Sequence, residues 1–516
     1  MIKTHLKIII WLIITAAIIT ACGNGDDPDT TDNNLPAPDP IILDNQPPPN
    51  GDPITLTILA TSTHTPMIRA VEEDMQEYFA VQGIDFNIAL TDYDHEDTNA
   101  LFEYNEILQT MLAAGDGFDV VFLNSVATID LRLLADNGFL LNVYDLIDQD
   151  PNLTRDDFFT NVLSAMEHRG GLYNFPFTFA FDFMGINASL PDTVLNEFSQ
   201  KTSLSMVEAM QILNILQTEY PEIYASFPLI ANMGEFFSPN AMASRIVASF
   251  IDFENATSSF SGAEFVNFAN LLRDTIPILQ IETFDAANIV PNFETVAEMN
   301  HMAENYIFLS VSRRGTAGGD FRNFTTLIPL FGISDSPFLN FVPVTDSNGA
   351  ISIVTSDLLH TWANVIFPAV GDGTVAWDFT QRMLHRTLTV AADDFVLNDG
   401  FLQFGARDLA IPILRNELEP HFHRFIEEWS FFLHNPNFVP LNGIRFGINS
   451  PDETAAIAAA LERLTELANS PMSLVERRAG VGFGADIMDL FMTGEISAEE
   501  FGLEVQERTD LWLAGE

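Results

Sequence analysis

ITLTILATSTHTPMIRAVEEDMQEYFAVQGIDFNIAL, residues 54–90, together with DVVFLN at 119–124, decides the fold. Ile54 to Ala60 alternates apolar and polar residues and is rich in β-formers, so it reads as a strand. TSTHT follows, and then a helix with Thr65 as N-cap and Pro66 at its first position. The helix carries an apolar stripe of Ile68, Val71, Met75, Tyr78 and Phe79, and Gly83 stops it. A second strand is expected over Ile84 to Leu90, and a second helix carries Leu101, Leu108, Met111 and Leu112 and ends at Gly115. Asp119 to Asn124 is short and apolar throughout, as in a parallel strand covered on both faces. Strand–helix–strand–helix–strand in this span predicts an α/β lobe. In such sheets ligands bind beyond the carboxyl ends of the strands. Those ends supply His64, Thr65, Asn124 and Ser125 as candidate ligand-binding residues: hydroxyls, an amide and an imidazole beside a helix N-terminus. For His64 taken alone, a capped or surface histidine is the plainer reading.

Downstream, HRGGLYNFPFTFAFDFMGIN (residues 168–187) places Phe175, Phe177, Phe179, Phe181 and Phe183 at every second position. In a strand these rings share one face. A buried face accounts for most of them, and rings near Tyr173, Phe175 and Phe177 could instead line a cleft, where flat apolar rings stack on sugars. Residues 190–300 read as mostly helical, GAEFVNFANLLRDT (residues 262–275) being one example. Mixed strands return over 306–370. The last helix opens on a capping box, Ser497 with Glu500, and buries Phe501, Val505 and Trp512.

Upstream, Lys3 and Lys7 flank the apolar run IIIWLIITAAIITA, residues 8–21. It is too short to span a bilayer comfortably and fits a secretory signal. It ends Ile19-Thr20-Ala21-Cys22, similar to a bacterial lipobox, and Cys22 is the one cysteine of the chain. Residues 1–21 are therefore expected to be a lipoprotein signal peptide, Cys22 the lipidated residue, and the protein extracytoplasmic and held to the cell membrane by acyl chains. Residues 22–53 form a tether: Gly23 to Pro53 holds eight Pro, seven Asp and no Lys or Arg. Such a segment stays extended and buries no core. The whole chain has 516 residues, 72 Asp+Glu against 22 Lys+Arg, a net charge of −50 and 47% hydrophobic residues. That length predicts at least two folded units. The charge excludes nucleic acid as a partner, since phosphate binding needs clustered Lys and Arg.

Six segments in this order resemble the extracellular solute-binding proteins of bacterial ABC importers, family 1, the sugar-binding type. They are ILQTMLAAGDGFDVVFLN (107–124), LADNGFLLNVYDLIDQDP (134–151), GGLYNFPFTFAFDFMGIN (170–187), FIDFENATSSFSGAEFVNFANLL (250–272), GTVAWDFTQRML (373–384) and GEISAEEFGLEVQERTDLWLAGE (494–516). The resemblance covers nearly all of residues 54–516. It implies an α/β, two-lobed periplasmic-binding-protein-like clamshell of the type II kind, each lobe a mixed sheet flanked by helices. Residues 54–178 with about 325–415 would form the first lobe, and about 179–324 with 416–516 the second. It also implies a small-molecule ligand, a sugar, gripped between the lobes of a monomer and passed to the permease subunits of an importer. Asp182, Glu235, Phe236 and Arg313 join the candidate ligand residues on this basis; Arg313 with Arg314 could equally be a surface pair. Beyond Cys22 the tryptophans are Trp362, Trp377, Trp429 and Trp512.

The sequence carries no G-x-S-x-G elbow, no H-E-x-x-H helix and no phosphate loop, so a non-enzyme with no cofactor is expected. A surface hydrolase would have to rest on Asp182 with Glu235, and a peptide or another polar solute remains an alternative ligand. The acidic runs at residues 26–32 and 92–97 could hold Ca²⁺ through oxygen ligands, and solvated acidic loops are the plainer reading of both. Lysine occurs only at Lys3, Lys7 and Lys201. Arginine keeps its charge at pH values where lysine loses it, which fits an alkaline or saline setting; genomic composition drift gives the same bias.

Overall fold

VVFL (Val120–Leu123) is apolar at all four positions because the sheet around it is covered on both faces. In the structure, a computed structural model, the described residues are 53–94, 100, 103–104, 106–108, 110–111, 117–123, 131–226, 250–252, 257–275, 307–311, 338–346, 348–355, 364–369, 373–389, 411–424, 426, 453–474 and 485–514. The first sheet contains β1 (Ile54–Thr61), β2 (Phe86–Tyr93), β3 (Val120–Leu123), β4 (Phe175–Pro176) and a return strand, Asn364–Ile366, in the order β2-β1-β3-return-β4. β1 pairs in parallel with β2, from Ile54↔Phe86 to Thr61↔Tyr93, and with β3 at Ile58↔Val120. The return strand is antiparallel to both β3 and β4. Leu56, Ile58, Val120, Phe122 and Val365 point into one core, and Leu59, Val121, Leu123 and Ile366 into another on the opposite face.

Helix α1 (Thr65–Val81) covers the first of these faces with Ile68, Val71, Met75 and Phe79. It opens one residue earlier than expected. Residues 62–64 make a turn of 3-10 helix, so His64 stands at the N-cap and Thr65 inside the helix. β2 also outruns its expected end, Leu90, by three residues. Gly83 takes φ 76°, the left-handed conformation that ends α1 where a side chain would be strained.

The chain leaves the first sheet after Pro176. β5 (Thr178–Phe181) and β6 (Phe183–Asn187) belong to a second, mixed sheet with strands Phe308–Val311, Phe338–Thr345, Ile351–Val354 and Ile411–Pro412. The alternation foreseen for this stretch divides its side chains between two cores. Phe175, Phe177, Phe179, Phe181 and Phe183 enter the core of the first sheet, whereas Met184 and Ile186 enter a second core. That second core is built by helices Met206–Glu219, Ala263–Thr275, Ala485–Met492 and Ala498–Ala514. Sheet and core membership depart from the expected lobe boundaries. Strands 338–345 and 351–354 lie in the second sheet, not the first. Leu418, Phe422, Ala460 and Leu464 pack into the first core, not the second. Their apolar periodicity was readable, but which sheet or core it serves depends on pairings far apart in sequence.

Buried polar groups tie the first core together. The Asp150 carboxylate accepts from the Trp377 indole N–H at 2.8 Å, from the Gln381 amide, and from the backbone N–H of Asn152 and Leu153. Trp377 is thereby core. On the same helix, Thr374–Thr389, Arg382 donates to Asp378 at 3.0 Å and lies over the Tyr78 ring. Beside the second core Lys201, the only lysine after Lys7, donates to Glu208 at 2.8 Å, while Glu208 closes a capping box with Ser205. The foreseen Ser497–Glu500 box is present at the last helix.

Burial pushes the Asp378 carboxyl above its ordinary range; Arg382 pulls it back, and the charge of Asp150 adds to the rise. The folded protein therefore holds this proton more tightly than the unfolded chain, and its contribution to stability falls as pH climbs from about 4 through the raised folded value. Asparagine does not titrate. The stability advantage of the wild type over Asp378→Asn should accordingly shrink between pH 4 and pH 7 in urea unfolding curves; an advantage that grows over that range contradicts the assignment.

Candidate functional site at the end of the first sheet

β1 lies between β2 and β3, and the chain visits one side of it before the other. The carboxyl ends of β1 and β3 consequently flank a point where the winding reverses, which is where open α/β sheets leave a crevice. Thr61 closes β1, Tyr93 closes β2 and Leu123 closes β3. The turn after β1 then directs α1, with Thr65 in its first turn, at the same rim.

Hydrogen bonds organise this rim. Thr61 Oγ1 and His64 Nδ1 are 3.0 Å apart, and the His64 ring lies 4.9 Å from that of Phe122. His64 is only 2% exposed, so its role is to support the turn and the Thr61 hydroxyl rather than to offer an open face. Thr65 Oγ1 donates to Asp92 Oδ2 at 2.8 Å. Asp92 is exposed, and only one of its carboxylate oxygens is engaged by that bond. The Tyr104 hydroxyl donates to the Phe122 carbonyl at 2.5 Å, and its ring meets Tyr93 edge-on at 5.8 Å. Burial, with Glu103 adding to it, raises the Tyr93 hydroxyl above its usual range, so it stays a neutral donor. Together these groups present a carboxylate, hydroxyls and aromatic edges, a set suited to a neutral ligand rich in hydroxyl groups.

Of the residues singled out from sequence, His64 and Thr65 meet at this rim. Tyr173 is half-buried, its ring resting against Gly171, where an added Cβ would come within 2.6 Å of it. Phe175 is 0% exposed, edge-on to Phe158 and Trp377, and Phe177 is buried against Phe122. Both are core and not walls of a cleft, because the strand face they occupy is turned onto the first core. Asp182 is also 0% exposed, between Phe181 and Phe183, with its backbone paired to Ser352 and Val344. It therefore does not face an open pocket as an acid or base would. Cys22, Asn124, Ser125, Glu235, Phe236, Arg313, Trp362 and Trp429 lie outside the described residues.

Sequence reasoning passed over Asp92 as a ligand contact because it ended the strand at Leu90. The register Ala60↔Asp92 extends β2 to the level of the β1 terminus and delivers the carboxylate to the rim. Among the described residues no group of three or more metal-ligating side chains gathers.

Two solved structures share this architecture over most of their length. A protein of Synechococcus sp. MITs9220, provisionally assigned as an oligosaccharide periplasmic-binding protein, superposes with a TM-score of 0.51 at 12% identity, covering 89% of this chain and 99% of its own. The chain has the two-lobed fold of the periplasmic solute-binding proteins. The sugar-binding protein MalE of the phytopathogen Xanthomonas citri matches at a TM-score of 0.51 and 13% identity, over 90% of this chain and 98% of its own. No protein-family model and no curated protein matches the sequence. The stretch around Phe177 passes from one of the two sheets described above to the other.

The buried and exposed members of the rim should separate on mutation. His64→Ala removes a ring packed on Phe122 and should cost about 1–3 kcal/mol in chemical denaturation. Thr65→Val breaks an exposed bond to Asp92 and should stay within about 0.5 kcal/mol of the parent. Equal losses would contradict this division of roles.

Proposed function

We propose that the protein is a lipid-anchored, extracytoplasmic substrate-binding component of an ABC importer, which captures a mono- or oligosaccharide between its lobes and hands it unaltered to a membrane permease. The observation that carries this reading is the winding reversal at the β1–β3 end of the first sheet, set in a two-lobed solute-binding fold. It puts hydroxyls and the Asp92 carboxylate where such folds receive their ligands. The two structural neighbours described above carry names that refer to saccharides, which favours a sugar over a peptide. A carboxylate that accepts from ligand hydroxyls, with neutral donors beside it, suits a polyol better than an anion, which Asp92 would repel. Ligand differential affinity for the closed arrangement would then drive closure. On the sequence alone, Asn124, Ser125 and Arg313 remain candidate ligand contacts.

The sequence supports the anchoring: an apolar run ending in Ile-Thr-Ala-Cys22, then a proline- and aspartate-rich tether. Cys22→Ala in an expressing bacterium should shift the protein from the membrane fraction to the soluble fraction and abolish incorporation of a labelled fatty acid. Retention of both in the variant would refute the anchor.

A thermal-shift screen of mono- and oligosaccharides, peptides and polyols tests the ligand class. A ligand at one hundred times its Kd stabilises the folded state by about 2.7 kcal/mol, a shift of several degrees. A saccharide is expected to give such a shift, and Asp92→Asn to diminish it without lowering the unliganded Tm. Stabilisation by peptides alone, or conversion of the bound compound during long incubation, would overturn the proposal.

A further inference from the structure

The last helix, Ala498–Ala514, is fixed to the second lobe on several sides. Phe501 and Val505 are buried in the second core, Phe501 stacking on Phe491. Arg508 pairs with Asp486 on the preceding helix, and Gln506 donates to the Ser258 carbonyl and hydroxyl. Trp512 lies one turn beyond Arg508. It was expected to be a buried member of the stripe, yet it is half-buried: one side packs on the second core, and the guanidinium of Arg132 covers its ring at 3.6 Å from the centroid.

Arg132 belongs to the first lobe. It sits on the short helix Leu131–Asp136, whose Leu131 and Leu134 pack on the core formed by Leu59, Val121 and Leu123. The far end of that helix is held by Asp136, which contacts His168 at 2.9 Å and Arg169 at 3.0 Å. The two partners of the stack are therefore each anchored in a different core, and neither is on a loose arm. Leu133 and Leu511, the neighbours in sequence, are 50% and 46% exposed. The contact thus lies at a solvent-accessible rim, where the lobes can part without opening either core.

We infer that Arg132 and Trp512 form a latch between the lobes, a guanidinium–indole stack that favours the arrangement of the lobes seen here whether or not a solute is bound. A planar guanidinium suits this task better than an ammonium, because it lies flat on the ring and sheds its hydration more readily. The arrangement also has a place in the working cycle. Arg132 follows the end of β3 by nine residues in sequence, so the latch helix is the next described element after a strand that ends at the candidate ligand rim. Breaking the stack shifts the equilibrium between open and closed forms and so changes apparent ligand affinity without touching a ligand contact.

The test needs no solute. In a Cys22→Ser background, Val81→Cys on the first lobe and Leu503→Cys on the second, both at exposed positions, take spin labels for double electron–electron resonance. Arg132→Ala should lower the population of the parent's main interlobe distance relative to all others by roughly two- to fivefold, the effect of one partly exposed cation–π contact. Arg132→Lys should fall between alanine and the parent. Trp512→Phe should move the distribution in the same direction, and combining it with Arg132→Ala should add nothing. Circular dichroism and melting of the Arg132→Ala protein should match the parent, since Arg132 supports neither core. Distances in Arg132→Ala that superpose on the parent would overturn the latch. So would effects of the two single substitutions that simply add.

Discussion

Everything in this molecule depends on a strand that serves two masters by alternation. From Phe175 to Asn187 successive side chains point to opposite faces, so the chain supplies rings to one core and Met184 and Ile186 to another while its backbone passes between sheets. A slip of one residue would exchange the two faces and present phenylalanines to the wrong lobe. Five rings at every second position make that slip costly, since each fully buried ring contributes about 1.5–3 kcal/mol relative to exposure. The same packing explains why this aromatic stretch is a joint rather than a sugar platform.

The candidate site inherits its position from that joint. Because the crossing occurs beside Pro176, at the edge of the first sheet, the carboxyl ends of β1, β2 and β3 are left uncovered by the strand itself. The polar groups at those ends are held by short local bonds, Thr61 with His64 and Thr65 with Asp92, and beneath them lies the apolar floor of Phe122. The hydrolase alternative rested on Asp182 with Glu235, and Asp182 is sealed inside the joint.

Much of the first lobe was legible in the sequence because its determinants are local. The alternation of Ile54–Ala60, the 3.6-residue stripe of α1, the left-handed Gly83 and the fully apolar VVFL each encode their element within a few residues. The C-terminal capping box was readable for the same reason. What escaped was non-local. Nothing near residues 338–354 says that they pair with the crossing strand, and nothing near Leu464 says which core it fills. Asp92 was missed because strand length is set by the neighbour it pairs with, here β1, and Trp512 because half of its environment is an arginine 380 positions away in the chain.

The scarcity of lysine leaves a practical mark. Beyond Lys3 and Lys7, Lys201 is the sole side-chain amine, and it is engaged with Glu208 beside a helix start. Amine-directed crosslinkers, dyes or resins would therefore address the second lobe at one defined point, and only after competing with that carboxylate. A surface coupled in this way would display every copy in one orientation, with the first lobe left unmodified at its side chains.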